Sequence, residues 1–321
     1  MATDNPAAPR PSAKAVAGRG PRRRRGRPQG GRAAAVLLSP FFLLFTGVTL
    51  IPIGYAVYLS LFRTERSGLG FGAATTVFAG LGNYGKLLGD SVFRAGFAHV
   101  AIYGVIYIPT MLILALAGAL LLDSALAKAS RFFQLIYFLP SQVPGVLAAL
   151  TWLYLYTPHI SPIMRFLSDV GANPDLNKSV WLFPAMANIA VWQFTGYNIV
   201  IFYVALKAIP TEIIEASVID GASELRAAVS IKLPLIGPSA TFAGLMTLVG
   251  VLQLFTEPLV LQFIAPGSIG GQWTPNLYNY NAAFLDQNTA SAAAGSILLA
   301  LVAGLLSYGV MRLTRKWREA V

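Results

Sequence analysis

Residues 209–238 read IPTEIIEASVIDGASELRAAVSIKLPLIGP. Thr211 follows Pro210 and precedes Glu212, so a helix opens here with an acid in its first turn, where the helix dipole favours it. Ile213, Ile214, Ser217, Val218, Gly221, Ala222 and Leu225 recur at steps of three and four residues, which is one face of a helix. Glu212, Glu215, Ser223 and Glu224 fall largely off that face. Gly221 interrupts the pattern and marks a turn or a very close approach by another chain. A second short helix is expected to end at about Ile231, because Pro234 disfavours helix at the residue before it. The segment is therefore a two-helix elbow with an apolar ridge on a polar body, shaped to dock into a groove. The competing reading is an amphipathic helix lying on a membrane surface.

The flanks are of a different kind. Residues 179–206 upstream and 233–256 downstream carry no charge, and past Glu257 the apolar run continues to Phe263. Four further runs match them: 33–62, 95–122 (uncharged apart from the titratable His99), 132–164 and 287–311. A bilayer core about 30 Å thick takes about 20 apolar helical residues. Helices are the open-ended structures that satisfy their own backbone in lipid. The fold class is all-α: a polytopic membrane protein with six transmembrane helices, the elbow joining spans four and five. Pro40, Pro52, Pro109, Pro140 and Pro144 interrupt the runs and read as kinks.

Charge gives the orientation. Of 321 residues, 55% are hydrophobic and only 12% charged, about half the usual share of a soluble domain. The net charge is +11, but residues 1–32 alone hold nine basic groups and one acid, Asp4. This stretch, with Arg22–Arg25 at its centre and much Pro, Gly and Ala around it, is expected to be a disordered cytoplasmic tail. Residues 33–321 form the membrane domain. With the tail inside, 18 of the 24 Lys and Arg lie on the cytoplasmic face, as the positive-inside rule requires for an even number of spans. Both termini are then cytoplasmic. No aromatic or folded reader accompanies the arginine run, so nucleic acid is not an expected partner.

Catalytic chemistry is hard to find. Cysteine is absent, and the two histidines, His99 and His159, have no carboxylate three or four residues away. Residues 80–86, GLGNYGK, imitate a phosphate-binding loop, but Leu87 stands where Ser or Thr must supply the magnesium hydroxyl. The segment also falls in the external loop. If ATP drives this protein, a partner binds it, and no cofactor or metal is expected in this chain. Glu257, near the external end of span five, is the carboxylate that a membrane span would carry for function; the plainer alternative is solvation at the interface.

The elbow has a familiar outline. Glu215-Ala216-Ser217, three residues, Gly221, nine residues, Ile231, one residue, then Leu233-Pro234 resembles the EAA loop of permease subunits from binding-protein-dependent ABC importers. Ser217 replaces the usual second alanine. The resemblance extends over residues 36–314. FAGLGNY at 78–84 with LLGD at 87–90, Phe138-Leu139-Pro140, Trp192 and LKAIP at 206–210 are similar to segments of the maltose- and glycerol-phosphate-type sugar permeases. The glycine-rich stretch those proteins carry after span five is degraded here to 265–271, APGSIGG.

The resemblance implies a type I importer permease (MetI-like) fold and a set of partners. These are a second permease sharing the solute path, two copies of an ABC ATPase that bind ATP and magnesium, an extracytoplasmic solute-binding protein, and a sugar or related polyol solute. The setting implied is the bacterial cytoplasmic membrane. Glu215, Ala216, Ser217, Asp220, Gly221, Ala222, Leu225, Ile231 and Pro234, within a coupling loop of about 209–234, would meet the ATPase. Gln193, Tyr197 and Asn198 in span four and Gln253, Thr256 and Glu257 in span five would meet solute. Gln193 and Tyr197 are four apart, as are Gln253 and Glu257, so each pair is expected to share a helix face. The alternative for these polar groups is hydrogen bonding between permease subunits. A stand-alone secondary transporter or channel is the competing function, and the sparse intramembrane charge speaks against it. A membrane enzyme would need a catalytic cluster that the sequence does not supply.

Overall fold

The computed structural model describes residues 30–66, 74–124, 129–158 and 160–318. Residues 1–29 of the basic tail, Lys128 and His159 lie outside them. Contacts divide the chain into two compact units, 1–52 and 53–321.

The first helical run, α1 (Ala34–Ser60), is long and apolar enough to cross a membrane, and none of its most apolar stretch is buried within the chain. A hairpin follows: β1 (Phe62–Arg66) pairs antiparallel with β2 (Ala74–Phe78). The imitation phosphate loop then folds as a short helix, α2 (Gly82–Gly89). Its Asn83 is buried and donates from Nδ2 to the carbonyls of Ser60 (2.8 Å) and Phe62 (2.6 Å). Tyr84 Oη lies 2.6 Å from Ser60 Oγ. The segment latches the start of the hairpin.

Three more helices pass the length and polarity test for a span: α3 (Ser91–Asp123), α7 (Ser179–Lys207) and, within α13 (Thr289–Arg318), the stretch Thr289–Thr314. The main apolar core runs along α3 and α7, with Met111, Ala115, Met186, Ile189 and Phe202 fully buried. α4 (Ser130–Gln142, its last turn a 3-10 helix) and α5 (Gly145–Tyr156) pack on α7, and the short α6 (Pro162–Asp169) packs on α5. The elbow is α8 (Thr211–Ile219) followed by α9 (Glu224–Leu235); then come α10 (Gly237–Leu252), α11 (Thr256–Leu261) and α12 (Pro275–Tyr280). Counting each bent pair as one span gives six.

Two expected spans are not straight rods. Residues 132–164 do not run as one helix: α4 and α5 meet at 93°, and the chain leaves helix again after Tyr156. Pro144 forces Val143 into extended backbone (φ −74°, ψ 127°), so this proline breaks the span where a kink was expected. Residues 233–256 are likewise divided. α9 and α10 meet at 66°, and Gln253–Phe255 separate α10 from α11. Each break frees backbone groups, and an amide from a neighbouring element satisfies one. Gln193 Nε2 donates to the Val143 carbonyl (2.7 Å), and Asn276 Nδ2 donates to the Leu252 carbonyl (3.0 Å).

Candidate functional site

α3 and α7 form one wall of a cavity of about 360 Å³, and the end of α10 with the break after it forms the opposite wall. Six of its lining residues are those expected to meet solute: Gln193, Tyr197, Asn198, Gln253, Thr256 and Glu257. They reach it by different means. Gln193 and Asn198 are buried, and their amide nitrogens are spent on the carbonyls of Val143 and Phe194. Tyr197 is about half exposed, one turn along α7 from Gln193. Gln253 and Glu257 do not share a helix face, because helix stops at Leu252 and restarts at Thr256. The break itself presents Gln253, Thr256 and Glu257 to the same space. Residues with irregular backbone at membrane depth belong where they line a cavity.

Tyr103 and Tyr107 of α3 also line the cavity, with ring centroids 5.4 Å apart. The sequence reading passed over them. The signal was present: two polar-tipped aromatics four residues apart on an otherwise apolar span, the spacing that paired Gln193 with Tyr197. The cavity wall thus offers phenol hydroxyls, amides, a threonine hydroxyl and one carboxylate. Among the described lining residues there is no Lys, Arg or His, and no ion pair to Glu257 forms among the described residues. Such a lining can exchange hydrogen bonds with a solute that presents hydroxyl groups.

The elbow lies on the stretch joining α7 to α10. α8 starts at Thr211, as read, and ends in a Schellman motif: Gly221 N–H donates to the Val218 carbonyl (3.0 Å) and Ala222 N–H to the Ser217 carbonyl (2.9 Å). Gly221 has φ +77°, so its role is the turn. Ser223 then caps α9, accepting from Arg226 N–H (3.3 Å). The ridge is rearranged relative to the periodic reading. Ser217 is buried and donates to the Ile214 carbonyl, facing the body of the protein. Val218, Ile219 and Leu225 project outward, with Leu225 77% exposed. Glu215, Ala216 and Asp220 are exposed beside them, Ile231 is half-buried, and Pro234 is exposed. α9 also does not stop near Ile231. It continues through a five-residue π turn, Ala228–Lys232, and carries Pro234 inside it.

A family model described as "Binding-protein-dependent transport system inner membrane component" matches residues 116–318, which take in both the cavity's second half and the whole elbow. The chain belongs to this family. Among its relatives is the probable ABC transporter permease protein YurN of Bacillus subtilis, 30% identical over 285 residues, covering 87% of this chain and 94% of that protein. The sn-glycerol-3-phosphate transport system permease protein UgpA of Escherichia coli O6:K15:H31 is 29% identical over 266 residues (82% of this chain, 88% of that protein). The diacetylchitobiose uptake system permease protein NgcF of Streptomyces coelicolor is 29% identical over 302 residues (85% and 83%). In fold, the chain is similar to a bacterial ABC transporter for import of the acidic polysaccharide alginate. The TM-score is 0.75 at 18% identity, covering 89% of this chain and 96% of the chain matched. The MetI-like permease fold read from the elbow is therefore the fold of this protein, and the chain is a membrane-embedded transport component.

Proposed function

We propose that this chain is the carbohydrate-translocating permease of an ATP-driven importer, that Gln193, Tyr197, Asn198, Gln253, Thr256 and Glu257 contact the solute, and that 209–234 couples to ATPase subunits. One observation carries the reading. The cavity lies between α7 and α10, the two helices that the elbow joins, so a force on the elbow acts on both cavity walls. The exposed Val218, Ile219 and Leu225 offer an apolar contact for the ATPase, and the Schellman turn at Gly221 sets the angle between α8 and α9. ATP and magnesium are held by that partner; this chain supplies the path and the lever. A second permease completes the path, and an extracytoplasmic solute-binding protein delivers solute. Relatives named for glycerol phosphate and for diacetylchitobiose support a polyhydroxylated solute. Both termini are cytoplasmic in this reading.

Two sets of substitutions test it in the assembled importer. Leu225→Asp places a charge on the apolar ridge and should strip the ATPase from the purified chain without lowering thermal stability, since Leu225 packs against little in its own chain. Tyr197→Ala and Gln253→Ala should leave assembly intact and weaken uptake several-fold, the effect of losing a hydrogen bond of about 1 kcal/mol. ATPase retained by Leu225→Asp together with wild-type uptake in both cavity variants would refute the assignment.

A further inference from the structure

Asp123 is the last residue of α3, and its carboxylate bridges two lysines that are distant in sequence. Oδ1 is 2.8 Å from Lys207 Nζ and Oδ2 is 2.6 Å from Lys232 Nζ. Lys207 ends α7, two residues before the elbow begins at Ile209; Lys232 closes the π turn, two residues before Pro234. One carboxylate therefore ties together both stems of the coupling loop. It is largely enclosed, with its side chain 9% exposed, and Lys232 is 14% exposed. Position argues against a role in helix stability: an acid at a helix C-terminus faces the negative end of the dipole. Two lysine partners offset that, and without Asp123 they would confront each other as like charges.

The same helix carries the cavity tyrosines. Tyr103 and Tyr107 line the cavity from α3, Gln193, Tyr197 and Asn198 line it from α7, and Met246 and Thr247 line it from α10. Two of these helices meet at the clamp, α3 through Asp123 and α7 through Lys207, and Lys232 adds α9, which leads into α10 across the 66° bend. α3 runs as one helix from Ser91 to Asp123, with Pro109 inside it, so displacement at the clamp is carried along a single continuous element to the tyrosines.

We propose that Asp123 is the positioning residue of transport: it binds both stems of the coupling loop to α3, so that elbow and cavity helices move as one body when the loop is driven. This rests on the reading of 209–234 as the coupling loop. The clamp distinguishes a lever tied also to α3 from one that pulls on α7 and α10 alone.

The test uses the assembled importer, and the chain's lack of native cysteine gives a clean background. Asp123→Asn should retain the ATPase yet lower uptake roughly tenfold, within the usual range of coupling between sites, with ATP hydrolysis no longer following uptake. Asp123→Glu, which keeps the carboxylate, should restore most of the loss. The decisive variant is Asp123→Cys with Lys232→Cys. It should be impaired as made and regain uptake when the two thiols are joined by a short bifunctional reagent, because a covalent tie replaces the ionic one. Each single cysteine variant treated alike should gain nothing. Three results would overturn the clamp: unchanged uptake in Asp123→Asn, release of the ATPase by that substitution, or a linked double variant as inactive as the unlinked one. Leu225→Asp reports on the coupling-loop reading by itself, through presence or absence of the ATPase.

Discussion

At the scale of single residues, two positions show what the packing requires. Gly196 lies on α7 where the end of α4 crosses it. A Cβ added there would sit 1.6 Å from the Tyr137 carbonyl oxygen and 2.3 Å from its carbon. These are backbone atoms, so no side-chain rotation relieves the clash. Overpacking typically costs about 1–3 kcal/mol, and a backbone collision belongs at or above the top of that range. Gly196→Ala should lower the thermal midpoint of the detergent-solubilised chain by several degrees; an unchanged midpoint would mean that the crossing is not this tight. Asp90 is the second case. It caps α3, accepting from Val92 N–H (2.8 Å), and also accepts from Tyr278 Oη (2.7 Å). The tyrosine hydrogen bond, helped by the cap and by Arg94, holds its carboxyl below the ordinary aspartate range, while burial and the carboxylate push the Tyr278 phenol up to about 12. A depressed carboxyl contributes stability above its ordinary pKa of about 4 and loses it as pH falls through the lowered value. Tyr278→Phe should therefore flatten the acid limb of a stability profile below about pH 4 and leave it unchanged at pH 6 apart from a constant offset. An acid limb identical in wild type and variant would show that the pair does not couple to folding.

At the scale of elements, proline is accommodated by one device used twice. Pro52 follows the π turn Thr46–Leu50, and Pro234 follows the π turn Ala228–Lys232. In both, the residue just before the proline donates back five places, Ile51 N–H to Thr46 and Leu233 N–H to Ala228. The widened turn spares the proline ring a collision with the carbonyl four residues earlier. Pro234→Ala would supply the missing N–H and let the turn close. Closing it removes one residue's worth of winding, about 100°, and would swing the ridge at Leu225 around the axis of α9. The expected outcome is weaker ATPase co-purification with thermal stability equal to or above wild type; intact co-purification would show that the π turn does not aim the elbow. These turns also mark where the sequence stopped being legible. The start of α8 at Thr211 and the turn at Gly221 were readable, because a proline followed by an acid in the first turn and a glycine inside an apolar pattern are local signals; the six cavity residues came from the resemblance to the sugar permeases. The breaks at 143–144 and 253–255, and the inward turn of Ser217, were not. A helix that is apolar all round has no face in its periodicity, and proline announces strain without saying whether the chain bends, widens or stops. Asp123 was illegible for another reason: its partners lie 84 and 109 residues away, and only the fold brings them together.

At the scale of the whole molecule, charge is sorted by depth. Among the described residues, the cluster of Asp123, Lys207 and Lys232 sits at the elbow end of the long helices, while the cavity between them holds Glu257 and no basic side chain. A carboxylate so placed is costly and is kept where it meets a cavity. Its hydrogen-bonding capacity fits hydroxyl or amino groups, and in its ionised form it repels a phosphate or a uronate in a medium where repulsion is poorly screened. One relative is named for glycerol phosphate, an anion, and another for diacetylchitobiose, so kinship alone leaves this chain's preference open. The prediction is a preference for an uncharged or amino-bearing sugar. Uptake of a neutral sugar by the assembled importer should be competed by other neutral sugars and barely by sugar phosphates or uronates. Glu257→Gln removes the charge and keeps the shape and most of the hydrogen bonding. It should reduce uptake of the preferred sugar several-fold, the magnitude of one charged hydrogen bond of about 1.5–3 kcal/mol partly replaced, and should raise the competing power of anionic sugars toward that of neutral ones. If anionic sugars compete as well as neutral ones in the wild type, the selectivity is set by the second permease or by the delivering protein, and Glu257 is held at this break for the backbone geometry of α11 alone.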